Sequence, residues 1–220
     1  MERKSISLPR IDDLDMAKSS NDRVALLDSR GIRGEIASVN WPDKSPSRPL
    51  ASFVAAYSKK GIYVDFLVRC NYLRAVNSAD QSPVSEDSCV EFFLDPKGDG
   101  EYWNFEFNCI GAINASRRFA KPTPTRLTSE QLAKVERYAS CGNRPFCEME
   151  GLFTWNLLIF IPFELIGLDV DNLPEKIRGN FYKCASSTSE PHYLSWNPIL
   201  TETPDFHRPE FFGDIYFIKQ

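Results

Sequence analysis

The sequence has few residues of the kinds that mark zinc proteins, nucleic-acid binders and membrane proteins. It contains two histidines and no CxxC pair, which argues against a structural zinc site. Its formal net charge is −4 and it has no cluster of Lys and Arg, so we expect no nucleic-acid partner. The longest apolar stretch, 157–163, is far too short to span a bilayer and contains a proline, so we expect no membrane insertion.

The sequence also has few cysteines and no apolar stretch typical of a secretory signal peptide. Six cysteines in 220 residues are too few and too widely spaced for a disulfide scaffold. The charged N-terminus has no apolar stretch like that of a secretory signal. We therefore expect a cytoplasmic protein with mostly free thiols. A secreted or periplasmic protein, in which Cys141 and Cys147 could bridge, stays open if a leader has been removed, and the sequence leaves the oligomeric state open.

What the sequence does contain is a series of short segments in which apolar and polar residues alternate. This period of two is typical of half-buried strands. The alternation is sharpest in 102–109, where Trp103, Phe105 and Phe107 would face a core, while Tyr102, Asn104, Glu106 and Asn108 would face away from it. Similar patterns occur in 61–70, 90–95, 153–161, 177–184 and 214–218. They predict an all-β fold, a two-sheet antiparallel β-sandwich.

Turn residues and capping signals divide the chain further. They predict an irregular N-terminal segment that leads into the core, 1–35, followed by the β-sandwich domain, 36–220. One short helix is expected after Thr128, because Thr128 and Gln131 have the spacing of a capping box.

Several motifs, taken in order, resemble the family nine carbohydrate-binding modules. They are Gly61–Phe66, Glu86–Pro96, Tyr102–Asn108, Trp155–Phe163, Arg178–Tyr182, Leu194–Pro198 and Phe206–Gly213. The resemblance covers about 36–218. It implies a β-sandwich that binds a mono- or oligosaccharide without cleaving it, as modules of carbohydrate catabolism do, by clamping a sugar ring between aromatic side chains and hydrogen-bonding its hydroxyls.

The resemblance also implies particular site residues. Glu91 matches a carboxylate that contacts sugar hydroxyls, Trp196 resembles one of the two sandwiching aromatics, and Asn104 or Glu106 stands near a polar contact. The chain departs from the family at 84–86, where Val, Ser and Glu stand in place of the second sandwiching tryptophan. One wall of the clamp is therefore expected to be missing.

Purely structural roles for the same residues stay open. Trp196 could cap the core, since large aromatics are usually buried. The polar residues Glu91, Asn104, Glu106 and Asn108 could be ordinary strand surface, since sheet faces away from a core are commonly polar.

Other functions remain open at this stage. Glu91 and Glu106 could be the carboxylate pair of a glycoside-processing enzyme. A haem-binding relative of the DOMON sandwiches would need a His and Met pair, for which only Met149, His192 and His207 suggest themselves. No cofactor is expected, apart from a weak candidate for structural calcium at Asp95 and Asp99 in the turn 95–100.

Overall fold

The strands and helices of the protein were located in a computed structural model that describes residues 3–119 and 124–219. The helices are α1 (Ser20–Arg30) and α2 (Ser129–Leu132). In chain order the strands are β1 (Ser5–Leu8), β2 (Ile32–Glu35), β3 (Ser38–Val39), β4 (Leu50–Tyr57), β5 (Gly61–Ala75), β6 (Cys89–Asp95), β7 (Tyr102–Asn108), β8 (Ile113–Arg118), β9 (Pro124–Arg126), β10 (Glu136–Ala139), β11 (Phe146–Pro162), β12 (Lys176–Ala185), β13 (His192–Ser195) and β14 (Gly213–Phe217).

The strands form two sheets, which we call the front sheet and the back sheet. The nine-stranded front sheet has the order β1-β14-β12-β6-β7-β8-β9, with β13 beside β12 and β3 beside β13. The five-stranded back sheet has the order β10-β11-β5-β4-β2. Neighbouring strands run antiparallel except β1, which pairs with β14 in parallel. The predicted antiparallel β-sandwich is confirmed.

The core lies between the two sheets and is built from the alternate residues that the sequence pattern singled out. On β5 the inward residues are Ile62, Val64, Phe66 and Val68, and all four are fully buried. Phe181 on β12 joins the sheets, because its ring stacks on Phe92 of the front sheet at 4.4 Å and on Phe53 of the back sheet at 3.8 Å. Burial of such aromatic surface is the main stabilising contribution to a sandwich of this kind.

The predicted N-terminal lead-in is wrong for the described part of 1–35. β1 extends the front sheet, β2 extends the back sheet, and α1 lies between them in sequence. α1 begins at a capping box in which Ser19 and Asp22 exchange hydrogen bonds, a signal that the sequence contains. Leu27 of α1, together with Ile11 and Leu14, packs on the outer face of the back sheet. The segment folds because it covers apolar surface that would otherwise face water.

The short helix predicted after Thr128 is confirmed as α2, with the expected capping box between Thr128 and Gln131. Among the residues that the structure describes, no helix combines the length and apolar character needed to cross a bilayer. All six cysteines are free.

Candidate functional site

A cleft of about 480 Å³ lies on the outer face of the front sheet, the face turned away from the core. Strands β6, β7, β8 and β12 form its floor, and the loops around 81–85 and 204–207 form its sides. It is lined by Gln81, Ser82, Pro83, Ser85, Glu91, Glu106, Asn114, Arg118, Arg126, Cys184, Ser186, Tyr193, Pro204, Asp205, Phe206 and His207.

Strand register explains why polar side chains meet on this floor. Glu91 of β6 is the direct partner of Glu106 of β7, and Glu106 is in turn the partner of Asn114 of β8. Side chains at paired positions share one face of a sheet. The loops on either side then bury these side chains, so that Glu91 is 2% exposed and Glu106 is 6% exposed. The predicted polar patch therefore exists, but it is a buried cleft floor rather than a solvated strand surface.

Glu106 is held in place by two amide groups. Its Oε1 accepts a hydrogen bond from Asn104 Nδ2, and its Oε2 accepts one from Asn114 Nδ2, both at 2.9 Å. Burial raises the pKa of Glu106, while Asn114 and the nearby Arg118 act in the opposite direction. A carboxylate has about four acceptor sites, so two remain for donors from the cleft.

Glu91 lies beside two thiols. Cys184 Sγ is 3.1 Å from Glu91 Oε1, and Cys89 Sγ is 3.8 Å from the same oxygen. Burial raises the pKa of Glu91 well above its ordinary value, and the charges of Cys184 and Glu106 raise it further. The cleft floor therefore combines a carboxyl group and sulfur in a water-poor setting.

Asn104, the alternative predicted contact, does not line the cleft. It is fully buried, donates to Glu106, and accepts a hydrogen bond at 2.9 Å from Arg118 Nε. Asn104 therefore orients Glu106 and Arg118, two groups that do line the cleft. That Glu91 and Glu106 contact a sugar stays a prediction.

The prediction that Trp196 offers a face to a sugar is wrong for this structure. Trp196 is 4% exposed and lies in the core, where its ring makes edge-to-face contacts with Phe53 and Phe181 at 6.3 and 5.8 Å. Its ring fills the space beside Gly213, where any Cβ would collide with it. The reason is register, because Trp196 directly follows β13 and its N–H donates to Phe181 O, which turns the side chain inward.

The aromatic side chains that do line the cleft are Tyr193 and Phe206. The Phe206 ring stacks on Tyr182 at 4.2 Å, and Tyr193 meets it edge-on at 6.2 Å. Ser85 also lines the cleft, next to the position at which the family's second tryptophan is missing from the sequence. Sequence reasoning assigned neither aromatic residue to the site. Phe206 opens one of the motifs that resemble the family, but it lies in a loop, and Tyr193 lies on a strand of four residues, so no alternation shows which way either side chain points.

Three further polar lining residues, Asn114, Arg118 and Arg126, were also missed. A signal for Asn114 was present, because apolar and polar side chains alternate from Ile113 to Ser116, and the period of two places Arg118 on the same face as Asn114. Arg126 Nη1 donates to Gln81 O at 3.3 Å, which ties β9 to the loop at one side of the cleft.

The residues considered for calcium and haem have other partners. Asp95 accepts backbone N–H groups from Lys97, Gly98 and Gly100, and Asp99 accepts one from Glu101, which accounts for the turn by hydrogen bonds alone. His192 uses both ring nitrogens, one with Lys183 Nζ and one with Glu190 O, each at 2.8 Å. His207 Nδ1 is 3.0 Å from Tyr102 Oη, and Met149 is an exposed residue of the back sheet. That the chain binds calcium or haem stays a prediction.

Comparison with known proteins agrees with this geometry. A model of the family described as carbohydrate-binding family 9 matches residues 22–217. A crystal structure of a Bacteroides uniformis protein, provisionally described as carbohydrate-binding, is 34% identical over 99% of this chain and 100% of that chain, with a TM-score of 0.89. No curated protein matches the sequence significantly.

Two further structures, at low identity, share the fold. Both are of a family 9 carbohydrate-binding module from Caldicellulosiruptor kristjanssonii. The complex with glucose is 14% identical, with 99% of this chain and 97% of that chain covered and a TM-score of 0.56. The complex with cellotriose is 13% identical, with 99% of this chain and 95% of that chain covered and a TM-score of 0.55.

Proposed function

The chain belongs to carbohydrate-binding family 9, and on this basis we propose that it binds a mono- or oligosaccharide, without cleaving it, in the cleft of the front sheet. The observation that carries the proposal is the buried carboxylate of Glu106, which two asparagine amides hold beside a cavity of about 480 Å³. Burying a charged group costs free energy unless hydrogen bonds compensate it, as the two amides do here. Cavities of this size are typical of small-molecule sites.

The lining of the cleft has the two chemical features that a sugar requires. The hydroxyl groups of a sugar need fixed donors and acceptors, which Glu106, Asn114 and Arg118 provide. Its C–H patches need an aromatic surface, which Tyr193 and Phe206 provide on one side. Since 84–86 hold no tryptophan to form the second wall, we propose that the sugar stacks against one aromatic wall instead of between two.

Isothermal titration calorimetry with glucose, cellobiose and cellotriose, followed by a glycan array, would test the proposal. Glu106→Gln should weaken binding of the best ligand about tenfold or more, because charge-assisted hydrogen bonds contribute roughly 1.5 to 3 kcal/mol. The variant should fold normally. The substituted side chain can keep its amide oxygen towards Asn104, whose orientation Arg118 fixes, while Asn114 flips to accept from the new amide nitrogen.

Asp65→Asn is the matched control. Asp65 is also a buried strand carboxylate that accepts an asparagine amide, from Asn156 at 3.1 Å, but it lies on the back sheet. Its replacement should leave sugar affinity unchanged. Equal loss of binding in both variants, or none in Glu106→Gln, would contradict the assignment of the cleft.

One observation favours a second candidate function, hydrolysis of glycosides. Glu91 and Glu106 are paired across β6 and β7, and two carboxyl groups on one face are what glycosidases use. Chromogenic glycosides test this directly. We expect no release of chromophore, because the family to which the chain belongs is one of sugar-binding modules, and both oxygens of Glu106 accept amide hydrogen bonds that hold it as an acceptor for a ligand.

A further inference from the structure

Two cysteines and a glutamate form a compact cluster at the floor of the cleft. Cys89 and Glu91 lie two residues apart on β6, so both point to the outer face of the front sheet. Cys184 of β12 is the register partner of Cys89. One ligand atom from each, the two Sγ atoms and a Glu91 oxygen, lie within 4.8 Å of one another, and all three residues are buried.

The separations suit a tetrahedral metal ion. Zn²⁺ binds thiolate sulfur at about 2.3 Å and carboxylate oxygen at about 2.0 to 2.2 Å, which places neighbouring sulfur and oxygen ligands about 3.6 Å apart. The observed separations from Glu91 Oε1 are 3.1 Å to Cys184 Sγ and 3.8 Å to Cys89 Sγ. Small side-chain rotations would therefore bring all three atoms onto one ion.

The electrostatics of the cluster also favour a cation. The three candidate ligands are acidic groups gathered in one buried place, where their charged forms would repel one another. Glu106 adds to the negative potential. A divalent ion at the centre would let thiolates and carboxylate coexist, and binding would release their protons.

We propose that Cys89, Glu91 and Cys184 form a binding site for a thiophilic divalent cation, with Zn²⁺ as its representative. Two thiolates select such an ion over Ca²⁺ or Mg²⁺. Cys184 and Glu91 line the cleft, so the ion has an entry path and a fourth position that faces the cavity. Sequence reasoning missed this cluster, because ligands on two paired strands have no CxxC spacing.

The site can be tested on the whole chain, kept reduced and stripped of metal, by titration with Co²⁺. One equivalent should bind and produce the thiolate-to-cobalt absorption of a tetrahedral site, and Zn²⁺ should displace it. Cys89→Ser and Cys184→Ser should each weaken binding at least about 100-fold, since even indirect support of a metal site contributes 10- to 100-fold.

Cys109→Ser is the matched control. Cys109 is a buried thiol beside a second cysteine, Cys141, but it belongs to no described group of three candidate ligands. The affinity of this variant for Co²⁺ should stay within about twofold of the parent. If the cleft variants fold poorly, zinc-edge X-ray absorption of the parent protein should still show two sulfur ligands at about 2.3 Å.

Three results would overturn the site. They are an absence of stoichiometric metal binding, unchanged binding in Cys89→Ser and Cys184→Ser, and a Cys89–Cys184 disulfide that persists when zinc is present. None of these bears on the sugar titration with Glu106→Gln. Failure of metal binding and failure of sugar binding are therefore separable.

Discussion

The outer faces of the two sheets differ in what covers them. The back sheet presents Val54, Ala56, Tyr63, Leu158 and Phe160, and the N-terminal segment with α1 packs on this apolar surface. The front sheet presents Cys89, Glu91, Asn104, Glu106 and Cys184, and loops leave an open cleft above part of it.

Both faces are buried, so burial alone does not distinguish a structural face from a functional one. The difference is chemical. Apolar residues on an outer face gain free energy when they are covered, whereas buried carboxyl groups lose hydration and must be compensated by hydrogen bonds. The front face retains such groups at a cost in stability. It also brings two of them, Glu91 and Glu106, onto the floor of an open cleft, which is why we propose the front face as the ligand-binding side of the sandwich.

The largest expected effect comes from Trp196, which lies between the two faces. Trp196→Ala should lower the free energy of unfolding by about 3 to 5 kcal/mol, the usual penalty for deleting a large buried aromatic. Denaturant unfolding would measure this, and sugar affinity of the folded fraction should be retained. Loss of sugar binding with unchanged stability would instead return Trp196 to the ligand site.

Leu27→Ala should have the next largest effect, because it removes a fully buried side chain of α1 from the covering of the back sheet. We expect a loss of about 2 to 5 kcal/mol in the free energy of unfolding. Affinity for the sugar should be unchanged, since the back sheet's outer face lies on the opposite side of the core from the cleft. A parallel loss of affinity would show that the two faces are coupled.

The smallest of the three effects concerns Asp65, the buried carboxylate of the back sheet. Burial raises its pKa to about 6, and the charge of Asp28 raises it too, while the amide of Asn156 lowers it. Because the pKa in the folded state exceeds that in the unfolded chain, the folded protein binds the proton more tightly. This contribution to stability is complete below about pH 4 and is lost as pH rises through 6.

Asp65→Asn should therefore be more stable than the parent at pH 8, by about 1 to 3 kcal/mol, and nearly equal to it at pH 4. Urea unfolding at the two pH values measures the difference. A variant that is less stable at pH 8 would show that the charged carboxylate is favourable where it lies. That outcome would contradict a raised pKa for Asp65 in the folded protein.

Much of the fold followed from alternation in individual strands. The inward residues of β5, β6 and β7, such as Phe66, Phe92 and Phe105, were all assigned to the correct side. Short strands such as β1 and β13 were missed, since four residues carry too little periodicity. The site was predicted in part, because Glu91 and Glu106 line the cleft, whereas Trp196 does not.

By itself the sequence determined which residues share a face of a strand, because successive side chains alternate regardless of context. That was enough for the sandwich, its core and the polar character of one outer face. Only the tertiary structure decided which strands are neighbours, and so which side chains from distant parts of the chain meet. The approach of Cys184 to Glu91, the inward turn of Trp196 and the placing of Phe206 over Tyr182 all depend on that pairing, which local periodicity does not encode.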